Sequence, residues 1–210
     1  MKVRSYLWAI VFLLLFTTAC GLMKREKTKL LPPNFTMERI RDGYSLALGE
    51  AREWSPKAYL ESVHATYRRD GEGWKISKAS YTFVDKDKEM YIIVEISIKK
   101  EHLLITPPGR IGGKTSLVTT SHFHLENNRD ETEALYRSIA ILGDMIEKCG
   151  IEKVVIAGVS YAYQAWDVRF VNPQWITVSP LFIAEIYVNA ETGEIVRKDI
   201  SSIWKVCDTK

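Results

Sequence analysis

The chain has 210 residues, which is enough for one ordinary domain or two small ones. Hydrophobic residues make up 46% and charged residues 26%, so a folded core can form and extensive disorder is excluded. The formal net charge is +3, and it falls to about +1 when Lys2 and Arg4 are left out as part of a leader. A charge this balanced argues against a nucleic-acid-binding protein, which needs a concentrated basic surface.

The first 19 residues have the layout of an export signal. A basic start is followed by an apolar run over 6–16 and by small residues before Cys20. This end resembles the lipobox of bacterial lipoproteins, in which the cysteine is acylated, although Thr17 stands where an aliphatic residue is preferred. The resemblance implies a signal peptide at 1–19 and a lipid on Cys20 that holds the protein at the extracytoplasmic side of an envelope membrane.

Two other topologies remain open from these residues. The apolar run over 6–23 reaches the lower length limit for spanning a bilayer, and basic residues follow it, so it could be an uncleaved anchor helix. A free secreted form is the third reading. In the lipoprotein reading, residues 20–36 are the acylated cysteine and a tether without secondary structure, whose lysines lie near anionic headgroups.

The pattern after the tether predicts one helix followed by strands. Thr36 can cap a helix that begins at Met37, and the helix must end before Pro56, because the residue before a proline is pushed out of the helical region. Alternating and β-branched residues then predict strands over 59–67, 74–84 and 90–98, with a fourth candidate over 102–106. The apolar stripe of the helix consists of Ile40, Tyr44, Leu48 and Ala51.

The same order of elements follows again further along the chain. Asp130 and Glu133 have the spacing of a capping box, and Gly150 is the predicted C-cap of this second helix. A hairpin turn is predicted at 190–193. The helix stripe consists of Leu135, Ile139, Leu142 and Ile146, and the predicted strands cover 154–163, 165–171, 176–188 and 195–200.

This repetition predicts an α+β protein built from two tandem units, each a helix with an antiparallel sheet. The units are placed at 37–107 and 131–210, with a connector over 108–130. A short self-match supports duplication, because Leu-Gly-Glu at 48–50 parallels Leu-Gly-Asp at 142–144.

Two stretches resemble PepSY domains. FIAEIYVNAETGEIV over 182–196 is similar to the closing hairpin of that family, and AREWSPKAYLESV over 51–63 is similar to its join between helix and first strand. The resemblance implies a cystatin-like fold, in which a curved antiparallel sheet holds a helix. It also implies an extracytoplasmic binding or regulatory role without catalytic residues.

Candidate site residues are few. Cys149 and Cys207 are the two thiols that remain if Cys20 is acylated, and they are candidates for a disulfide in an oxidising compartment. His122 and His124 form an H-x-H pair that could bind zinc or copper, but an ordinary polar connector is the favoured reading. No metal or other cofactor is therefore predicted.

Four of the six tryptophans, Trp54, Trp74, Trp166 and Trp175, recur at the ends of elements. Core packing is the favoured role for at least three of them, and binding of a peptide or glycan is the alternative.

The sequence carries no motif of a hydrolase, zinc protease or thiol oxidoreductase. We therefore predict a non-enzymatic envelope lipoprotein that binds the membrane through its lipid and a protein or cell-wall partner through its domain. The alternatives are a structural subunit of an envelope complex and, third, an unrecognised hydrolase or metal-dependent enzyme.

Overall fold

The computed structural model describes residues 26–71, 73–111, 125–159, 164–171 and 182–201. The signal peptide, Cys20, His122, His124, Trp175 and Cys207 lie outside these ranges. Within them, the predicted α+β class is confirmed, because one large antiparallel sheet is combined with few helices.

The described strands form a single sheet in the order β1-β5-β4-β3-β2-β7-β8-β9-β10, with β6 paired to β4. All of the pairings are antiparallel. The strands are β1 Lys27–Leu30, β2 Tyr59–Asp70, β3 Gly73–Asp85, β4 Met90–Ser97, β5 His102–Ile105, β6 Gly109–Arg110, β7 Lys153–Val159, β8 Ala165–Val171, β9 Phe182–Asn189 and β10 Ile195–Asp199.

Three helices accompany the sheet: α1 Ile40–Trp54, α2 Glu131–Leu142 and the single turn α3 Met145–Lys148. Helix α1 packs on β2, β3 and β4, whereas α2 packs on β8. Each of these two helices precedes a run of four antiparallel strands, β2 to β5 and β7 to β10.

The two runs share one sheet because β2 pairs with β7, from Val63 opposite Gly158 to Arg68 opposite Lys153. We call this pair of strands the seam. The sequence predicts a separate sheet for each helix, and the structure shows a continuous one instead. The physical reason is that an unpaired strand edge leaves a row of backbone N–H and C=O groups without partners, and the seam pairs two such edges.

Both long helices lie on the same side of the sheet. Tyr67 on β2 lies opposite Val154, which in turn lies opposite Phe170 on β8, so these three side chains share a face. All three are buried. Glu131, the first residue of α2, accepts hydrogen bonds from Tyr67 and from Ile40, the first residue of α1, so both helices begin on the face that carries Tyr67.

The structure corrects three local predictions. Strand β1 lies inside the predicted tether, where backbone pairing with β5 forms a strand that apolar periodicity does not reveal. Helix α1 begins at Ile40 rather than Met37, because the Asp42 carboxylate accepts from the backbone N–H groups of Glu38 and Arg39 and closes the first turn there. Helix α2 ends at Leu142, since Gly143 adopts a φ of 52°, and Gly150 instead follows α3.

The predicted turn at 190–193 is confirmed. Gly193 has a φ of 75°, and the Asn189 side chain accepts from the backbone N–H groups of Glu191 and Thr192, both at 2.9 Å. This arrangement lets β9 and β10 pair as a hairpin.

Candidate binding cleft

A cleft of about 770 Å³ opens where the N-terminal ends of α1 and α2 approach the start of β3. This volume lies within the range of small-molecule binding pockets. We call it the binding cleft. Its lining comprises Phe35, Thr36, Met37, Glu38, Arg39, Trp74, Lys75, Ile76, Ile98, Asp130, Thr132 and Tyr136.

Aromatic side chains give the binding cleft its apolar character. Tyr136 is 57% exposed on the second turn of α2, and Trp74 and Phe35 are half-buried. Ile76 and Met37 are buried beneath them. An apolar floor with accessible rings at its rim is suited to a side chain that has an apolar body, because burial of such a group is favourable and non-directional.

Three of the four charged side chains that line the cleft, those of Arg39, Lys75 and Asp130, pair with other groups of the protein. Arg39 Nη1 donates to Asp130 Oδ2 at 3.2 Å, which joins the N-cap residues of the two helices. Asp130 Oδ1 also accepts from the Thr132 backbone N–H at 2.9 Å and so caps α2. Lys75 pairs with Asp70 at 2.9 Å. The lining carries two positive and two negative groups, so it does not select a strongly charged ligand.

A buried carboxylate supports the wall of the cleft from below. Glu131 is 2% exposed, and its Oε1 accepts from the Ile40 backbone N–H at 2.5 Å and from Tyr67 Oη at 2.8 Å. Burial raises the pKa of this carboxyl, although the two donated hydrogen bonds oppose the shift. Tyr81 Oη donates to the Ile40 carbonyl at 2.5 Å. We call Glu131, Ile40, Tyr67 and Tyr81 the junction cluster.

The junction cluster fixes the two helices relative to each other. The carboxylate of the first residue of α2 satisfies a backbone donor of the first residue of α1, which has no partner within its own helix. Tyr67 lies on β2, one of the two strands of the seam. The Glu131 carboxylate therefore also connects the starts of both helices to the sheet. These hydrogen bonds therefore hold the α1 and α2 walls of the cleft in one relative position.

A second charged group lies on the opposite face of the sheet. Asp167 is 1% exposed on β8, and Arg169 Nη2 contacts its Oδ2 at 2.5 Å. Arg169 also donates from Nε to Glu185 Oε1 at 2.9 Å. Burial raises the pKa of Asp167, and the charge of Arg169 opposes that shift. We call these three residues the back-face ion cluster.

Of the three tryptophans in the described ranges, Trp166 is a core residue, and Trp54 and Trp74 are half-buried and packed against the core, while Trp175 lies outside the described residues. Trp166 is 1% exposed and donates from Nε1 to the Arg129 carbonyl at 3.0 Å, so it belongs to the core. Trp54 is half-buried at the end of α1, where the Lys88 amine lies 5.2 Å from its ring centre. Trp74 lines the binding cleft.

The other predicted site residues fall largely outside the described ranges. Cys149 is buried and disulfide-bonded, while Cys20 and Cys207 lie outside, so the pairing of Cys149 with Cys207 stays a prediction. His122 and His124 lie outside as well. In the described part of the chain, no group of three or more His, Cys, Asp or Glu side chains is arranged to hold a metal ion.

Two residues of this site were missed by sequence reasoning. Glu131 follows the capping residue of α2 and resembles an ordinary acidic first-turn residue, because its partners Ile40 and Tyr67 are 91 and 64 positions away. Tyr136 falls outside the apolar stripe of α2. An aromatic residue off the stripe of an amphipathic helix is the signal that could have found it.

The described residues define a single-sheet α+β protein with a cleft lined by both apolar and charged side chains. No protein-family model and no curated protein matches the chain. Among solved structures, a Clostridium difficile 630 protein described as a "putative lipoprotein" is similar, with 9% identity, a TM-score of 0.49, and coverage of 78% of this chain and 99% of that one. At this identity and score, the likeness carries no argument about activity or location. Among the described helices, none has the length and apolar character required to cross a bilayer.

Proposed function

We propose that this protein is a non-enzymatic bacterial envelope lipoprotein that binds a polypeptide partner in the binding cleft. The observation that carries the proposal is the cleft itself, in which Trp74 and the exposed ring of Tyr136 stand over buried aliphatic side chains. The export signal and Cys20 at its end supply the compartment and the lipid. A protein partner is favoured over a glycan, because the buried floor residues Met37 and Ile76 are apolar, and the side chains of Arg39, Asp130 and Lys75 at the rim already have partners within the protein.

The proposal includes an origin of the fold from two related units. A helix followed by four antiparallel strands occurs twice, and the stretch over 182–196 that resembles the PepSY closing hairpin forms β9, the confirmed turn and the start of β10. We infer that the two halves are tandem PepSY-like units whose first strands have joined in the seam. This origin is consistent with a binding or regulatory role.

The test uses the full-length protein and peptides selected on it from a random displayed library. We expect the selected peptides to share an apolar or aromatic anchor residue. Fluorescence anisotropy should then show that Trp74→Ala weakens binding by roughly tenfold or more, as for the loss of a buried aromatic contact. Tyr187→Ala is the matched control, since Tyr187 is a half-buried aromatic residue on the other face of the sheet.

Three results would count against the proposal. Peptide binding that survives Trp74→Ala and Tyr136→Ala would remove the cleft as the site. Binding of cell-wall muropeptides in the cleft, with no binding of peptides, would overturn the polypeptide assignment. A mature protein whose intact mass lacks a diacylglycerol on Cys20, with the chain starting at Met1, would overturn the lipoprotein assignment.

A further inference from the structure

We propose that the β1 edge of the sheet and the adjoining β4–β5 turn dock on the anionic headgroups of the membrane that holds the lipid. This surface comprises Leu30 together with Lys99 and Lys100 of the turn 98–101. The inference rests on the lipid at Cys20 and goes beyond it, because acylation alone does not determine which face of the domain meets the bilayer.

The length of chain before β1 keeps this edge near the bilayer. Six residues separate Cys20 from Lys27, the first residue of β1. An extended chain covers at most about 3.5 Å per residue, so the acylated cysteine lies within about 25 Å of the start of β1. Strand β10 at the opposite edge is eight strand positions away, or about 38 Å at the usual spacing. The anchor therefore favours the β1 edge over the β10 edge.

The basic residues of β1 itself are already used within the domain. Lys29 Nζ lies 2.5 Å from Glu50 and 3.4 Å from Glu53 on α1, and Lys27 Nζ lies 3.9 Å from Glu53. Their charges are balanced by carboxylates on the helix side of the sheet. The two lysines of β1 are consequently poor candidates for headgroup contacts.

The turn beside β1 supplies the cations that remain. Its position is fixed by the Leu31 backbone N–H, which donates to the Glu101 carbonyl at 3.1 Å. Lys99 and Lys100 are exposed and form no ion pair with any described residue, and Glu101 is the one acidic group of the turn. Leu30 lies opposite His102 in the strand register and is 86% exposed.

An exposed apolar side chain beside two solvated lysines has the chemistry of an interfacial surface. The leucine can enter the headgroup boundary while the amines meet anionic lipid phosphates. Ile98 begins the same turn and also lines the binding cleft. Docking of this surface therefore presents the cleft to a partner beside the bilayer rather than far from it.

The experiment uses the full-length acylated protein in nanodiscs, either of phosphatidylcholine or of equal parts phosphatidylcholine and phosphatidylglycerol. Hydrogen–deuterium exchange of residues 98–101 and of β1 reports contact with the bilayer. We expect exchange in this region to be slower by roughly fivefold or more in the anionic nanodiscs. Lys99→Glu with Lys100→Glu should abolish the difference, and Leu30→Ser should reduce it.

Lys198→Glu is the matched control, because Lys198 is an exposed lysine on β10 at the far edge. Equal exchange in both kinds of nanodisc, or an equal effect of Lys198→Glu and the Lys99/Lys100 double variant, would overturn the docking surface. Intact mass spectrometry distinguishes failure of the docking surface from failure of the lipoprotein assignment. An acylated protein without the exchange difference removes only the docking surface, whereas a protein without the acyl groups removes the lipoprotein assignment as well.

Discussion

The junction cluster and the back-face ion cluster each contain a nearly fully buried carboxylate, yet they stabilise it by different means. Glu131 is held by two neutral donors, a backbone N–H and a tyrosine hydroxyl. Asp167 is held by the charged guanidinium of Arg169, which Glu185 shares. Burial raises the pKa of both carboxyls.

The two clusters differ in which elements of the fold they connect. On the helix side, the donors belong to α1 and β2, so the carboxylate of α2 ties three elements together beneath the binding cleft. On the opposite side, the partners belong to the neighbouring strands β8 and β9, so the ion cluster strengthens a pairing that already exists. We therefore expect the junction cluster to contribute more to the architecture than the back-face ion cluster.

The largest effect should follow the loss of the Glu131 side chain. Glu131→Ala leaves the Ile40 N–H and the Tyr67 hydroxyl buried without an acceptor, and we expect the free energy of unfolding to fall by about 3 kcal/mol. Glu131→Gln keeps an acceptor oxygen and should lower it by about 1 kcal/mol. Urea unfolding measures both. Equal losses for the two variants would show that the hydrogen bonds are not what the cluster contributes.

The next effect should come from the back-face ion cluster. Arg169→Met leaves Asp167 buried without its charged partner, but Arg169 is about one-third exposed, so solvent reduces the loss to about 2 kcal/mol. Combining it with Asp167→Asn should recover most of that loss. A double-mutant cycle by urea unfolding measures the coupling, with Lys148→Met as an exposed control. A loss above that of Glu131→Ala would reverse the comparison.

A pair of glycines in α1 tests how closely the helix approaches the junction cluster. A Cβ at Gly43 would lie 2.5 Å from Tyr81 Oη and 2.8 Å from Ile96 Cδ1, so Gly43→Ala should destabilise the protein by about 1–2 kcal/mol. Gly49 is in the same helix with nothing within 4 Å of its Cβ position, and Gly49→Ala should stabilise by about 0.5–1 kcal/mol. Thermal unfolding measures both. A stabilised Gly43→Ala variant would contradict the close contact with Tyr81.

The smallest effect should appear in the dependence of stability on pH. Because the pKa of Glu131 is raised in the folded state, the folded protein binds an extra proton just above the ordinary pKa of 4.5. The free energy of unfolding should therefore decrease as the pH rises through this window. Glu131→Gln should make this decrease shallower, and Asp167→Asn should do the same over its own window. Urea midpoints measured from pH 4 to pH 7 check both, and a steeper decrease in either variant would contradict the raised pKa values.

The sequence indicated most of the secondary structure, because alternation and helical periodicity are local properties. Strand β8 occupies the predicted range, and the turn at Gly193 forms for the predicted reason. The errors occur where a residue's secondary structure depends on a partner far along the chain. Strand β1 is an example, because it forms by pairing with β5. The sequence did not predict the binding cleft, because its walls come from four separate parts of the chain. The nearest sequence-based hypothesis was that a tryptophan could bind a peptide or glycan.

The amino-acid sequence by itself determined the α+β class, the repeated order of one helix and its strands, and the confirmed hairpin turn, because these depend on side-chain periodicity and on local backbone preferences. The tertiary structure alone decided that the strands join in one sheet at β2 and β7 and that Glu131 reaches both Ile40 and Tyr67. Those contacts depend on which strand edges and which buried polar groups find partners far along the chain, and no local pattern encodes that choice.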